Sequence, residues 1–374
     1  LRITFRALTI GLNYSDALLN INEASWPGQR MWDSIAIVDC THADVPNKVG
    51  GGGGSGSIPY GHYFAGERSF FAGNDIDMGG DVSIVNSATH VVRCTYGYKC
   101  VFAHNSLANP GHGATARHHI KLHGPVWTES SLGAGDWAPQ PTFVSTIQGG
   151  GAGYTIYNLI ADNKCTASAT NPGGWNMSLQ PQGGVPSNYS RNADQIVERN
   201  LFIAGSNSTF LSAVMIQAER TTIRNNVALL TGANQHTAWS AHLLEEVDPG
   251  WICADTWIYN NCSSSGADAN TGESAIHIYA GCTGTVVKNN AHYAVNDTTG
   301  ATLLDAGTGT VASNNTTNIQ TDPKFSGALT AIAGWQITDG TSYTKEGGAN
   351  VPVWGDAFGS LRRTGSMDIG ASEQ

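Results

Sequence analysis

The chain has 374 residues, and only 13% of them are Asp, Glu, Lys or Arg, for a net charge of −10. That balance argues against nucleic acid as a partner, because phosphate binding relies on clustered Lys and Arg. No apolar run reaches the roughly 18 residues of a membrane-spanning helix. The 46 glycines, with abundant Asn, Thr and Ser, point away from a helical bundle and towards a β-rich chain with many tight turns.

Residues Leu1 to Ser34 carry no copy of the repeat that follows. They are expected to cap it, since the open end of a repeat stack needs a polar cover. The start at Leu1, with neither Met nor a basic-then-apolar leader, reads as a removed leader or a start that is not the gene start. Residues 49–57, VGGGGGSGS, read as a flexible loop.

An apolar residue, two variable positions and an Asn then recur along the chain. The copies are FAGN ending at Asn74, FAHN at Asn105, IADN at Asn163, VERN at Asn200, IRNN at Asn226, IYNN at Asn261, VKNN at Asn290 and ASNN at Asn315. The intervals between these Asn residues are 31, 58, 37, 26, 35, 29 and 25. The 58 stands for two coils or for one coil with a long insertion. Coils of about 25 residues with variable excursions define an all-β solenoid, a right-handed parallel β-helix with long loop insertions. An Asn at one corner of every coil tolerates a left-handed turn and can hydrogen-bond its stacked counterpart.

A second strand precedes each Asn corner. SAVMIQAE (212–219), SAHLLEEV (240–247) and SAIHIYAG (274–281) align without gaps. RHHIKLHG (117–124), WNMSLQPQ (175–182) and ATLLDAGT (301–308) read as the same element. Alternation sends Ile120, Leu122, Met177, Leu179, Ile216 and Ile278 inward. The opposite set then stacks outward at about 4.8 Å per coil. Residues 125–150, rich in Gly, Pro and Trp, read as a long loop beside this strand, a kind that often carries function. The Gly-rich 149–153 follows no strand-to-helix signature and is not a nucleotide loop.

Seven cysteines are present, none in a C-x-x-C pair, so a zinc site is not expected. Cys94 with Cys100, and Cys253 with Cys282, are the pairs that a disulfide would join. The alternative is buried thiols acting as small hydrophobes.

The Asn-corner coils across residues 35–315, followed by TDPKF (321–325) and RRTGSMDIGASE (362–373), resemble the pectate-lyase-like right-handed β-helix proteins. On that layout one domain divides into the cap at 1–34, coils at 35–320, and a C-terminal coil and cap at 321–374. The resemblance implies an extracellular, virion-surface or cell-surface setting. It also implies a carbohydrate-directed activity, a polysaccharide lyase ahead of a hydrolase, with an acidic polysaccharide as partner. Viral tailspikes, fibre subunits and adhesins share the fold, so a non-catalytic structural protein, forming a homo-oligomer or filament, is the alternative.

The densest polar cluster is Arg117, His118, His119, Lys121 and His123, with His90, Arg93 and His104 upstream. Alternation places His119, Lys121 and His123 on the exposed face. A lyase acting on a uronic acid polymer must neutralise a carboxylate, remove the adjacent proton and stabilise the enolate. Lys or His can serve as base, and Arg can hold the carboxylate bidentately. Lys121 is the candidate base, with His119, His123, Arg117 and Arg93 as catalytic partners. β-Helix lyases are similar in using Lys or Arg, although no complete lyase motif surrounds Lys121. A solvated or structural His-rich strand is the plainer reading.

Gln180, Gln217, Glu219, Glu245, His277 and Tyr279 line the same stripe as candidate substrate-binding residues. Glu219 and Glu245 on successive coils would suit a retaining glycosidase pair about 5 Å apart, or Ca²⁺ through oxygen ligands. A solvated acidic pair is the commoner arrangement. No other metal or cofactor is indicated. Trp175, Trp239 and Trp251 are placed to stack sugar rings.

Overall fold

A computed structural model describes residues 3–7, 17–21, 33–42, 60–77, 90–110, 118–123, 154–167, 175–180, 191–204, 212–230, 237–241, 252–266, 274–362 and 367–373. The loop at 49–57, the stretches 125–150 and 149–153, and residues Arg117, Glu245 and Trp251 lie outside the described residues.

The described strands stack into three parallel sheets. The first has ten strands, from Ile3–Arg6 to Val311–Ser313, and the second has eight, from Thr41–His42 to Ala291–Ala294. The third runs through eleven strands, ending at Ala301–Asp305. Each coil contributes to the first, second and third sheet in turn, so the chain is a right-handed parallel β-helix. Coils are numbered 1 to 9 below by their first-sheet strands, from Ile35–Val38 to Val311–Ser313.

All eight Asn residues of the repeat form one ladder between the first and second sheets. Asn200 is typical. Its Nδ2 donates to the Ile160 carbonyl at 2.9 Å and to Asn226 Oδ1 at 2.9 Å. Its Oδ1 accepts from the backbone N–H and the Nδ2 of Asn163, both at 2.9 Å. The 58-residue interval is a single coil, because Asn105 donates directly to Asn163. The left-handed turn belongs to the residue before each ladder Asn, such as Arg199 with φ 55° or Asn225 with φ 54°. The ladder Asn itself is free to point its amide along the stack.

A second left-handed corner, which the Asn pattern does not announce, links the third sheet to the first. Its residues run Ser34, Arg68, Lys99, Tyr157, Asp194, Arg220, Asp255, Gly284 and Gly309 for coils 1 to 9, all with positive φ. Their side chains vary, so no motif marks them.

The interior is built from stacked apolar columns. Ile37, Phe71, Phe102, Ile160, Val197 and Ile223 follow one another in the first sheet, all buried. The expected inward set of the third sheet, Ile120, Leu122, Met177, Leu179, Ile216 and Ile278, is buried as well. One register differs. Ser212 pairs with Thr237 and not with Ser240, which lies opposite Met215. The reason is Trp239, which meets Phe202 edge to face at 6.0 Å inside the core. Burying so large an apolar side chain outweighs a matching Ser-Ala dipeptide. Trp239 is therefore a core residue and not a sugar platform.

Two strands from the first 34 residues join the stack: Ile3–Arg6 pairs with Ile35–Val38, and Ala17–Ile21 with Tyr60–Glu67. The described residues after Ser313 add no strand to the three sheets. They lie against the outer face of the second sheet, where Trp335, Ala357, Ile369 and Ala371 pack on Leu201, Val227, Cys262 and Ala291. They also reach round the Asn corner to Tyr259 and Arg224 of the first sheet, which both donate to the Pro352 carbonyl. The Asp-Ile-Gly-Ala-x-Glu ending is the latch of this tail. Buried Arg362 donates to Glu373 Oε2 at 3.2 Å, to Asn225 Oδ1 at 3.1 Å and to the Gly370 carbonyl at 2.7 Å. Gly370 has φ 94°, and a Cβ there would stand 2.6 Å from Cys262 Sγ, so the position requires glycine.

All seven cysteines are buried free thiols. Cys253 and Cys282 do meet on adjacent coils, beside the Ala254–Thr283 bridge, but as thiols. Burial raises the Cys100 thiol to about 12 and Cys262 to about 11, which leaves almost no reactive thiolate. The native protein is accordingly expected to resist a thiol-titrating reagent, with all seven groups reacting once guanidinium is added. Fewer than seven after denaturation without reductant would mean that a disulfide forms.

Candidate functional site

The outer face of the third sheet carries Arg93, Lys121 and His277 of the polar residues singled out by the sequence. In-register partners along it are Arg93, Lys121, Ser178, Met215, Ser240 and His277, one per coil. Lys121 points outward because Ile120 and Leu122 on either side are core residues. It is partly exposed, and no carboxylate pairs with it among the described residues. Burial first, and neighbouring Arg93 second, lower its ammonium to about 7.

Arg93 and His123 are brought together. Arg93 Nε donates to His123 Nε2 at 2.9 Å, which places the imidazole proton on Nδ1. The strand end is braced from the next coils. Thr155 Oγ1 donates to the His123 carbonyl at 2.7 Å, and Asn192 Nδ2 to the Leu122 carbonyl at 2.9 Å. A lysine whose ammonium is lowered to about 7 by burial, with an arginine beside it on a braced strand, has the chemistry to accept a proton next to a bound anion.

Two expectations about this strand fail. His123 is fully buried rather than exposed. His119 lies in the bend before the strand, where alternation no longer holds. It is buried with its Nδ1 3.3 Å from Asn176 Nδ2, and burial lowers it to about 4. His119 is a structural residue of the bend. So is His118, which stacks on His90 at 4.9 Å, lies 5.4 Å from Trp175 and contacts the Trp175 carbonyl through Nδ1. This His90–His118–Trp175 column went unread, although each member precedes its strand by the same two residues.

The rest of the stripe is only partly as expected. Gln180 is partly exposed and accepts from Ser178 Oγ at 2.9 Å. Gln217 is fully buried, and neither amide atom has a hydrogen-bond partner. Glu219 is not on the stripe at all. It lies beyond the strand end, bridging to Ala193 and Ala254, with Arg220 Nη1 donating to it at 3.1 Å. Glu219 is thus engaged in an ion pair with Arg220, and its expected partner Glu245 lies outside the described residues. No cluster of three or more His, Cys, Asp or Glu stands within metal-binding reach among the described residues. His277 and Tyr279, both half-buried, stack on each other at 3.6 Å, about 19 Å along the stripe from Lys121 at four coil steps.

No protein-family model and no curated protein matches the chain. The fold defines it as a parallel β-helix protein, and its chemistry must be argued from the Arg93–Lys121–His123 cluster on the third sheet.

Proposed function

We propose that the third-sheet face binds an acidic polysaccharide and that Lys121 removes the proton next to its carboxylate, making the protein a uronate-directed lyase. The observation that carries this reading is Lys121 itself: an outward lysine whose ammonium is lowered to about 7 by burial, beside an arginine and with no carboxylate partner among the described residues. At pH 7 such a lysine is about half deprotonated and can accept a proton, which an ordinary lysine cannot. Arg93 would hold the substrate carboxylate and offset the charge of the enolate. His123 orients Arg93 through its Nε2 and is a positioning residue. The stacked His277 and Tyr279 offer a ring-sized apolar surface further along the polymer.

Alginate, pectin and glycosaminoglycan panels, each with and without calcium, should reveal one substrate that gains the ultraviolet absorbance of an unsaturated sugar. On that substrate Lys121→Ala is expected to lower kcat about a thousand-fold. The rate of the native protein should climb with pH through about 7, as Lys121 loses its proton. Unsaturated product from none of the polymers would overturn the lyase reading. Full activity in Lys121→Ala would overturn the assignment of the base. A non-catalytic β-helix would retain the polymer on an affinity matrix and release it unchanged.

A further inference from the structure

We infer that the outer face of the first sheet is a self-association surface on which two copies pack antiparallel, related by a two-fold axis parallel to the strands and lying over coil 5. This lies beyond the carbohydrate reading, since it uses a different sheet. The face carries a row, one residue per coil, of Phe70, Val101, Leu159, Ile196, Thr222, Trp257, Val286 and Val311 in continuous register, apolar at every position but Thr222. Phe70 is 51% exposed, Ile196 and Trp257 are each 37%, and Tyr157 in the flanking corner is 46%. From Phe70 on coil 2 to Val311 on coil 9 the row is about 34 Å long at one strand spacing per coil. An exposed row of that length in which seven of eight positions are apolar, Thr222 on coil 6 being the exception, is unusual on a protein that stays monomeric.

The charges beside the row choose the occupant. In the corner that borders it, Arg68 is bound to Asp33, and Arg220 to Asp194 at 2.8 Å. Lys99 on coil 3 and Asp255 on coil 7 are the two charged corner residues with no ion pair among the described residues, and both are exposed. They have opposite signs and lie two coils to either side of coil 5, where Ile196 sits. A two-fold axis over coil 5 therefore brings Lys99 of each copy to Asp255 of the other. It sets Ile196 against its own equivalent, Val101 against Trp257, and Tyr157 against the Arg220 guanidinium, a favourable cation–aromatic contact. Axes running parallel, as in a trimer around a common axis, would bring Lys99 to Lys99 and Asp255 to Asp255. Like charges at one height make that arrangement unfavourable.

Sedimentation velocity of the full chain over a range of concentrations tests this. A dimer is expected, loosened by added salt, with Ile196→Arg remaining monomeric at concentrations where the native protein pairs. Lys99→Asp alone or Asp255→Lys alone should weaken the dimer by tenfold or more, since each reversal acts at two symmetry-related contacts. The double variant Lys99→Asp with Asp255→Lys should regain most of the native affinity. Circular dichroism matching the native protein shows that each variant is folded. A native protein that is monomeric at its highest soluble concentration, a trimer, or a double reversal no tighter than the single ones would each overturn the inference.

Discussion

Replacing Asn200 by Ala is expected to lower the unfolding free energy by about 3–6 kcal/mol, as read by guanidinium unfolding at neutral pH. The loss reaches several groups at once. Asn163 loses the acceptor for its backbone N–H and for its amide. The carbonyls of Ile160 and Glu198 lose a donor, and Asn226 Oδ1 keeps only the bond from the Asn200 backbone. Each buried group left unpaired costs about 1–3 kcal/mol, and the packed corner leaves little room for water to replace the amide. Asn315→Ala at the end of the ladder is the contrast. It strands the donors of Asn290 and removes one donor from the Val287 carbonyl, and the site is partly exposed, so about 1–2 kcal/mol is expected. Equal losses at the two positions would mean that the ladder is not a cooperative column.

The contrast also explains what the sequence could and could not reveal. The Asn corner was legible because one side chain does the same job at every coil: an amide that accepts from below and donates above has no equal substitute. The other corner does an equally strict backbone job, but Arg, Lys, Tyr, Asp and Gly all fulfil it, and no pattern results. Alternation located the core columns of the third sheet, since buried positions tolerate only apolar residues. It misplaced His119 because alternation is a property of extended strands and fails in the bend that precedes one. Lys121, Arg93 and His123 were legible as a polar cluster. That Arg93 would reach His123 was not, because strands 30 residues apart in sequence meet only through stacking. Glu219 shows the same limit from the other side, since its partner Arg220 is its chain neighbour and still escaped notice as long as the strand was read as continuing through it.

The buried histidines make stability fall steeply in acid. His90, His118, His119 and His292 are all fully buried. Burial is the main cause holding each below the ordinary 6.5, reinforced at His90 by His118, Lys121 and Arg93 and at His118 by Lys121. His119 and His292 are each lowered to about 4, opposed only in part by ring hydrogen bonds to the Thr166 and Ser263 backbones and, at His292, by the charge of Asp297. Since the folded values lie below the unfolded one, the unfolded chain binds more protons throughout the window between about 4 and 6.5. The histidines' contribution is whole above pH 6.5 and is lost as pH falls, by about 1.4 kcal/mol per unit for each histidine once the unfolded ring is fully charged. By pH 5 that amounts to roughly 2 kcal/mol each, and four such groups approach the whole stability of a typical domain. Chemical denaturation at a series of pH values between 7.5 and 5 should show the unfolding midpoint dropping continuously. His119→Gln should flatten the slope by about one proton, because glutamine can still meet Asn176 but cannot titrate. A midpoint that stays level down to pH 5 would require these rings to be hydrated or already charged in the folded protein, and the His90–His118 stack, face to face at 3°, could not then persist.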